Sequence, residues 1–154
     1  MSLATFAAGC FWGVEEAFLS SGLVRKTLVG YTGGHLSGPN YSQVCSGTTG
    51  HAEAVQLEFD PSKTEYSQLL ALFWKIHDPT TMNRQGPDVG EQYRSAIFYH
   101  NEQQKIEAER SRDAHQNHLN KKIVTQIAPV QAFYPAEEYH QQYIRKSGNN
   151  SCRF

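Results

Sequence analysis

The 154-residue chain contains few cysteines, no long hydrophobic run and no excess of charge of either sign. Its three cysteines form no CxxC pair, and their odd number argues against the disulfide framework of a small secreted protein. No apolar run approaches the length of a membrane span, so we expect no association with a membrane. The formal net charge is -1 without a long basic run, which argues against nucleic acid as a partner.

The first residues also lack the features of an export signal. The stretch MSLATFAAGCFWGVEE has no basic segment before its apolar part and reaches acidic residues quickly. We therefore expect a cytoplasmic protein, in which an unusual cysteine is more often reactive or metal-bound than structural. Apolar residues make up 39% and charged residues 19%, a balance typical of one soluble domain. We expect residues 1–154 to form a single domain, with 146–154 as a mobile C-terminal tail.

Strand and helix patterns are mixed along the chain, and no linker or repeat divides it. Hydrophobic periodicity predicts strands at residues 3–8, 24–34, 52–59, 94–100 and 121–130. It predicts helices at 10–20, after a capping box formed by Ser62 and Glu65, at 101–120 and near 136–147. Two long irregular segments, 35–50 and 80–93, are of the kind that often carries function. The order favours an α+β fold, a two-layer sandwich with a ferredoxin-like core, a mixed sheet and long loops.

Cys10 is placed where a reactive thiol could be made. It follows a short strand and Gly9, at the predicted start of a helix. The free amides and the dipole of a helix N-terminus favour the thiolate. A half-buried structural cysteine is the alternative interpretation. Trp12 favours the reactive one, because it lies off the Phe11, Val14, Phe18 stripe and could form a pocket wall.

Glu53 is a carboxylate on the apolar face of a strand. Val55, Leu57 and Phe59 share its side, whereas the intervening residues are polar. A carboxylate there is costly unless it is paired, protonated or lining a cleft, and an apolar site raises its pKa. Such a group can serve as a general acid at neutral pH. An outward-fraying first residue of the strand is the alternative.

The remaining candidates are individually weak. Tyr41, Asp88 and Tyr93 lie in the two irregular segments, where functional side chains are common but tyrosine usually packs. His115 and His118 could share a helix face, but without a third ligand nearby we expect no zinc site. The glycines form no phosphate-binding loop with its lysine.

Three functions remain open on these residues alone. A cysteine hydrolase would pair Cys10 with a histidine base such as His51 and an orienting carboxylate. A thiol reductase would use Cys10 against an oxidised sulfur or a peroxide and resolve the product with a second cysteine. A binding module would use Trp12 and the tyrosines as a ligand cage. Cys152, in the tail, favours the reductase, because a hydrolase has no use for a resolving thiol.

Several segments together resemble the peptide methionine sulfoxide reductase A family. They are GCFWGVEE, VGYTGG, NYSQVCSGTTGHAEAVQLEFDP, HDPTTMNRQGPDVGEQYRSAIFY and EEYHQQY, in matching order over residues 8–143. The combination of GCFWG with GHAE and DxGxQYRS is highly specific. The resemblance implies an α+β fold with a ferredoxin-like core and no metal or organic cofactor. It also implies reduction of the S epimer of methionine sulfoxide, free or in proteins.

The resemblance also assigns roles to individual residues. Cys10 would attack the sulfoxide sulfur, and Phe11 and Trp12 would hold the substrate methyl group. Glu53 would protonate the sulfoxide oxygen. The other roles implied are hydrogen bonds to that oxygen from Tyr41 and Tyr93, and substrate binding and loop ordering by Asp88.

Recycling is the step on which this chain departs from the family pattern. The resemblance implies that a second thiol closes a disulfide on a Cys10 sulfenic acid and that thioredoxin reopens it. The tail KSGNNSCRF keeps a glycine and two asparagines but lacks the Gly-Tyr step that the family places before its resolving cysteine. We predict a disulfide between Cys10 and Cys152, with Cys45 as the competitor. We expect the chain to act as a monomer.

Overall fold

The computed structural model describes residues 1–147. Its strands are Ser2–Ala8 (β1), Lys26–Thr32 (β2), Ala52–Phe59 (β3), Arg84–Gln85 (β4), Asp88–Val89 (β5), Ser95–Tyr99 (β6), Gln126–Pro129 (β7) and Tyr134–Pro135 (β8). Its α-helices are Phe11–Ser21 (α1), Tyr41–Cys45 (α2), Tyr66–Lys75 (α3), Glu102–Gln116 (α4) and Tyr143–Ser147 (α5). Short 3-10 turns cover Glu91–Tyr93 and Glu138–His140.

Six strands form one sheet in the order β7-β6-β1-β3-β2-β8. The pairing of β6 with β7 is parallel, and the other pairs are antiparallel. Within it, β1, α1, β2, β3, α3 and β6 make the βαββαβ core of a ferredoxin-like fold. The predicted α+β sandwich with a mixed sheet is confirmed.

The main core lies between the sheet and the helices α1 and α3. Phe6, Phe18 and Phe73 are fully buried there, with ring centroids 5.7 Å apart for Phe6 and Phe18 and 5.1 Å apart for Phe6 and Phe73. Small residues fill the opposite face of the sheet, which segment 128–133 partly covers; they are Ala7, Ala52, Ala54 and Ala96, beside Phe98. The sheet is therefore buried on both faces, and its central strands hold the residues at their ends in fixed positions.

The N-cap residue predicted for α3 is wrong. Ser62 does not cap the helix, because its backbone N–H and its hydroxyl both donate to the Asp60 carboxylate, at 2.9 and 2.7 Å. Glu65 is the N-cap instead and forms a capping box with Gln68, whose Oε1 accepts from the Glu65 amide at 2.8 Å. Ser62 hydrogen-bonds to the nearer Asp60 instead, in a turn that precedes the helix.

The two segments predicted to be irregular contain short ordered elements. Asn40 caps α2 within residues 35–50, and β4 pairs with β5 in a small hairpin within 80–93. The predicted last strand is shorter than expected, since only Gln126–Pro129 pairs with β6. Of the predicted tail over residues 146–154, Lys146 and Ser147 belong to α5. The rest of that tail, including Cys152, lies outside the described residues.

Candidate active site

Cys10 occupies the junction between β1 and α1. It is the N-cap of α1, which begins at Phe11, so its thiol lies at a helix N-terminus as predicted. Gly9 makes the sharp exit from β1 with φ of +94°, and a β-carbon there would come within 2.8 Å of Gln85 Cγ. Only glycine fits both the backbone conformation and this close approach. The thiol therefore lies at the positive end of the α1 dipole, a position that favours a thiolate.

Glu53 lies next to this helix terminus. Its side chain is only 1% exposed, and it shares the inner face of β3 with the buried residues Val55, Leu57 and Phe59. The Phe11 amide donates to Glu53 Oε1 at 3.2 Å. The carboxyl group and the Cys10 thiol therefore belong to one site, held together by the first turn of α1. The prediction that Glu53 is buried on the apolar side of its strand is confirmed.

Two phenols lie near the Glu53 carboxyl. Tyr41 begins α2, and its backbone N–H donates to Glu137 Oε2 at 3.0 Å. Burial, followed by a hydrogen bond with Cys45 and the charge of Glu53, raises the pKa of Tyr41 above its usual value. Burial and then the charge of Glu53 likewise raise the pKa of Tyr93. Both phenols therefore stay protonated at neutral pH and can donate hydrogen bonds.

Asp88 approaches the same site from the β4–β5 hairpin. Its charge acts on Tyr93, as does that of Cys10. Asp88 and Cys10 also line one cavity of about 1070 Å³. Asp88 is thus near the catalytic candidates and faces an open space, as its predicted role in substrate binding requires.

Phe11 and Trp12 sit on different sides of the first turn of α1. Phe11 is fully buried, with its ring 5.7 Å from that of Tyr31. Trp12 is half-buried and stacks on Tyr143 at a centroid distance of 3.8 Å and an interplanar angle of 12°. Its Nε1–H donates to His140 Nδ1 at 2.9 Å. The indole is therefore off the core-facing stripe, as predicted, and its orientation is fixed by residues near the end of the chain.

His140 is a site residue that the sequence did not single out. It is fully buried, and its ring lies 4.4 Å from that of Tyr41 and 5.2 Å from that of Phe11. Because an indole N–H can only donate, His140 Nδ1 must accept, which places the proton of the neutral ring on Nε2. Burial lowers the pKa of His140, so this neutral form persists at physiological pH. The only signal in the sequence was its place in EEYHQQY.

Two acidic residues attach the C-terminal segment to the site. Glu137 accepts from the Tyr31 hydroxyl at 2.9 Å and from the Tyr41 amide. Glu15 is buried in α1 and accepts from the Thr27 hydroxyl at 2.6 Å and the Gln142 amide at 2.7 Å. Burial raises the pKa of Glu15, although both hydrogen bonds oppose the rise. The sequence analysis missed this role, although Glu15 lies four residues after Phe11 and so on the same helix face as the Phe11, Val14, Phe18 stripe.

The arrangement excludes His51 as a general base. Its Nδ1 accepts from the Gly34 amide at 3.0 Å, and its Nε2 lies 2.6 Å from the Leu36 carbonyl oxygen. Both ring nitrogens are therefore committed to backbone groups, and no lone pair remains to deprotonate Cys10. The hydrolase interpretation therefore loses the histidine base that it named.

The other cysteine and histidine candidates do not form a metal centre. Among residues 1–147, no group of three histidine, cysteine or acidic side chains is arranged to hold a metal ion. His115 instead stacks on Trp74, with ring centroids 5.3 Å apart. Cys45 is an exposed free thiol at the end of α2. No helix within the described part of the chain is long and apolar enough to cross a membrane.

Comparison with known proteins identifies the family. The family model for peptide methionine sulfoxide reductase matches residues 2–154. A peptide methionine sulfoxide reductase MsrA of Methanosarcina acetivorans is 60% identical over 94% of this chain and 78% of its own. Two structures of Saccharomyces cerevisiae Mxr1 are similar. The reduced form has a TM-score of 0.94 and 38% identity, covering 99% of this chain and 88% of that one. The form in complex with Trx2 has a TM-score of 0.67 and 27% identity, covering 92% and 84%.

The match spans nearly the whole chain and includes the segments that carry Cys10 and Glu53. The chain belongs to the peptide methionine sulfoxide reductase A family, whose members reduce methionine sulfoxide.

Proposed function

We propose that this protein reduces the S epimer of methionine sulfoxide, free or in proteins, through a sulfenic acid on Cys10. The observation that carries the proposal is the pairing of a thiol at the N-terminus of α1 with a buried carboxyl group on β3 that accepts a hydrogen bond from the first turn of that helix. A sulfoxide is a poor electrophile until its oxygen receives a proton or strong hydrogen bonds. The site offers both, next to a thiol that its surroundings favour as thiolate.

The reductase step transfers the sulfoxide oxygen to Cys10. The thiolate attacks the sulfoxide sulfur while Glu53 supplies a proton to the oxygen and the two phenols donate to it. The step requires Glu53 in its protonated form, and since Oε1 accepts from the Phe11 amide, Oε2 is the oxygen that would carry the proton. The bond formed between Cys10 Sγ and the substrate sulfur then breaks as the protonated oxygen passes to Cys10, so that methionine leaves reduced by two electrons and Cys10 is oxidised to the sulfenic acid. General acid catalysis of this kind typically contributes about 10²-fold or more.

Selectivity for one epimer follows from three fixed directions at the sulfur. Cys10 determines the line of attack. Glu53 and the phenols determine the position of the oxygen, and Trp12 determines the position of the methyl group. A tetrahedral centre with these directions fixed accepts the remaining substituent in one way only. The resemblance to the family assigns this arrangement to the S epimer.

Recycling requires a second thiol and an external reductant. In the proposal, Cys152 condenses with the sulfenic acid, releasing water and closing a disulfide with Cys10. Thioredoxin then reduces that disulfide, a role that the solved complex of Mxr1 with Trx2 supports by similarity. The protein is proposed to act as a monomer in the cytoplasm, without a metal or organic cofactor.

The proposed activity is tested with the separated epimers of a methionine sulfoxide peptide and dithiothreitol. We expect methionine from the S epimer and little or none from the R epimer, and Cys10→Ser should abolish even the first turnover. Cys45→Ser is the matched control and should keep the first turnover. Equal rates on both epimers would contradict the proposal.

The resolving thiol is tested separately. Without reductant, peptide mass spectrometry after one turnover should find Cys10 linked to Cys152. Cys152→Ser should release about one methionine per enzyme and then stall with thioredoxin as sole reductant. A Cys10–Cys45 linkage, or full thioredoxin-supported turnover of Cys152→Ser, would move the assignment to Cys45 and leave Cys10 unaffected.

A further inference from the structure

Tyr41 is held in place by three separate contacts. Its backbone N–H donates to Glu137 Oε2 at 3.0 Å, from a residue 96 positions further along the chain. Its ring lies 4.4 Å from that of His140, and its hydroxyl shares a hydrogen bond with Cys45. Since Glu137 and His140 belong to one short stretch of chain, the place of this phenol is determined largely from the C-terminal part of the molecule.

The short helix α2 does not fix the backbone of Tyr41 by itself. A helix of five residues gains little from its own hydrogen bonds and depends on its caps and its packing. Asn40 Oδ1 accepts from the Gln43 amide at 2.8 Å, and Gln43 Oε1 accepts from the Asn40 amide at 2.9 Å. This capping box leaves the N–H of Tyr41, the first helical residue, without an acceptor inside the helix. Glu137 supplies that acceptor.

Glu137 uses both of its carboxylate oxygens as acceptors. Oε1 accepts from the Tyr31 hydroxyl at 2.9 Å, and Oε2 accepts from the Tyr41 amide. Tyr31 is fully buried in β2, so its hydroxyl is a fixed point of the sheet. Burial opposes ionisation of Glu137, but the hydrogen bonds that it accepts outweigh burial and lower its pKa. The group is therefore a carboxylate at neutral pH, and it joins the backbone of α2 to the sheet.

The stretch of chain that carries Glu137 is attached to β2 by other hydrogen bonds. Before it, β8 pairs with β2, and the Ala136 N–H donates to the Val29 carbonyl at 2.9 Å. After it, Gln141 Oε1 accepts from the Val29 amide at 3.0 Å, and Gln141 Nε2 donates to the Val29 carbonyl at 2.9 Å. Because these bonds lie on both sides of Glu137 in the sequence, a change at Glu137 should leave this stretch on β2 and loosen only the start of α2.

We propose that Glu137 is a positioning residue for the reaction, which holds the Tyr41 phenol where it donates to the sulfoxide oxygen. The proposal rests on the proposed function, in which Tyr41 is one of the two phenol donors. Such a donor is effective only within about 2.7–3.1 Å of the oxygen on which charge develops. A displacement of about 1 Å therefore removes most of its contribution. Both oxygens of Glu137 are occupied by Tyr31 and Tyr41, so Glu137 acts through Tyr41 and not on the substrate.

The test measures the first turnover of methionine formation from the S epimer of a methionine sulfoxide peptide without reductant, so that recycling does not contribute. Glu137→Ala should lower the limiting rate about tenfold and leave the half-saturating substrate concentration within about twofold of wild type. Glu137→Gln should stay within about twofold in rate, because its amide oxygen can accept from the Tyr41 N–H while its NH2 donates to the Tyr31 oxygen. Glu137→Asp keeps the charge but is too short to reach both donors, and should lose about fivefold. Glu138→Ala, at the exposed neighbouring position, is the matched control and should equal wild type.

A double-mutant cycle separates positioning of Tyr41 from a general structural effect. In a Tyr41→Phe background, Glu137→Ala and Glu137→Asp should change the rate by less than about twofold, because the donor that Glu137 positions is already absent. Losses that multiply in the double variants would overturn the proposal, as would Glu137→Asp being faster than Glu137→Gln, which would assign the effect to the charge. A raised half-saturating concentration in Glu137→Ala would also overturn it, by showing that the contact between His140 and Trp12 is disturbed as well. If Tyr41→Phe itself reacts at the wild-type rate, the positioning role is wrong although methionine still forms. If the wild-type protein forms no methionine, the proposed function fails and this role with it.

Discussion

Replacing His77 should change how the stability of this protein depends on pH. His77 is buried at the cavity that Cys10 and Asp88 line, with Nδ1 2.7 Å from the Phe73 carbonyl oxygen and Nε2 2.7 Å from the Ser95 hydroxyl. A neutral ring satisfies this arrangement, with Nδ1 donating to the carbonyl and Nε2 accepting from the hydroxyl. Burial lowers the pKa of His77 from 6.5 to about 4. The folded protein therefore resists protonation of a group that the unfolded chain protonates readily.

The sign and size of the effect follow from proton linkage. Between the two pKa values the unfolded chain binds more protons, so stability is fully present above pH 6.5 and is lost as the pH falls toward 4. With those two values, the free energy of unfolding should fall by about 1.8 kcal/mol between pH 7 and pH 5 through this one residue. The loss is a large fraction of the roughly 5–15 kcal/mol that stabilises a typical domain.

The measurement is urea unfolding of wild type and His77→Gln at pH 7, 6 and 5, with a reductant present. His77→Gln lacks the titrating group and should lose about 1.8 kcal/mol less than wild type over this interval. His100, His115 and His140 also have lowered pKa values, but they are common to both proteins and cancel in the difference. Parallel pH dependences for the two proteins would refute the reasoning.

Three further predictions concern the site. Glu53→Gln should slow the single-turnover rate of methionine formation by about 10²-fold or more, whereas Glu58→Gln, on the opposite face of β3, should not change it. Tyr93→Phe should slow the same step by about 10- to 100-fold through loss of one donor, and an unchanged rate would remove this phenol from catalysis. Trp12→Phe and His140→Gln should each raise KM more than they lower kcat. The double variant should be little worse than either single one, because both break the same hydrogen bond; fully additive effects would contradict this.

The sequence alone was sufficient for the fold class and for the placement of Cys10 at a helix start and of Glu53 on a buried face. Alternation at Val55, Leu57 and Phe59 reports which face of a strand is buried, so a carboxylate on that face was visible as an exception. Cys10 was identifiable because a strand, a glycine and a helical stripe mark a helix start within a few residues. Both inferences use local periodicity, which tertiary packing rarely overrides in long, regular elements. Local competition between side chains decided the cap of α3, and there the prediction based on Ser62 failed.

Only the tertiary structure decided which distant residues complete the site. The hydrogen bond from Trp12 to His140 joins residues 128 positions apart, and the one from Gln142 to Glu15 joins residues 127 apart. No periodic pattern encodes such a contact, because it depends on where α5 returns to pack against α1. The commitment of both His51 nitrogens to backbone groups was invisible for the same reason. Sequence thus determined which groups are chemically unusual, whereas packing determined which of them meet, because burial and hydrogen bonding are properties of the folded chain.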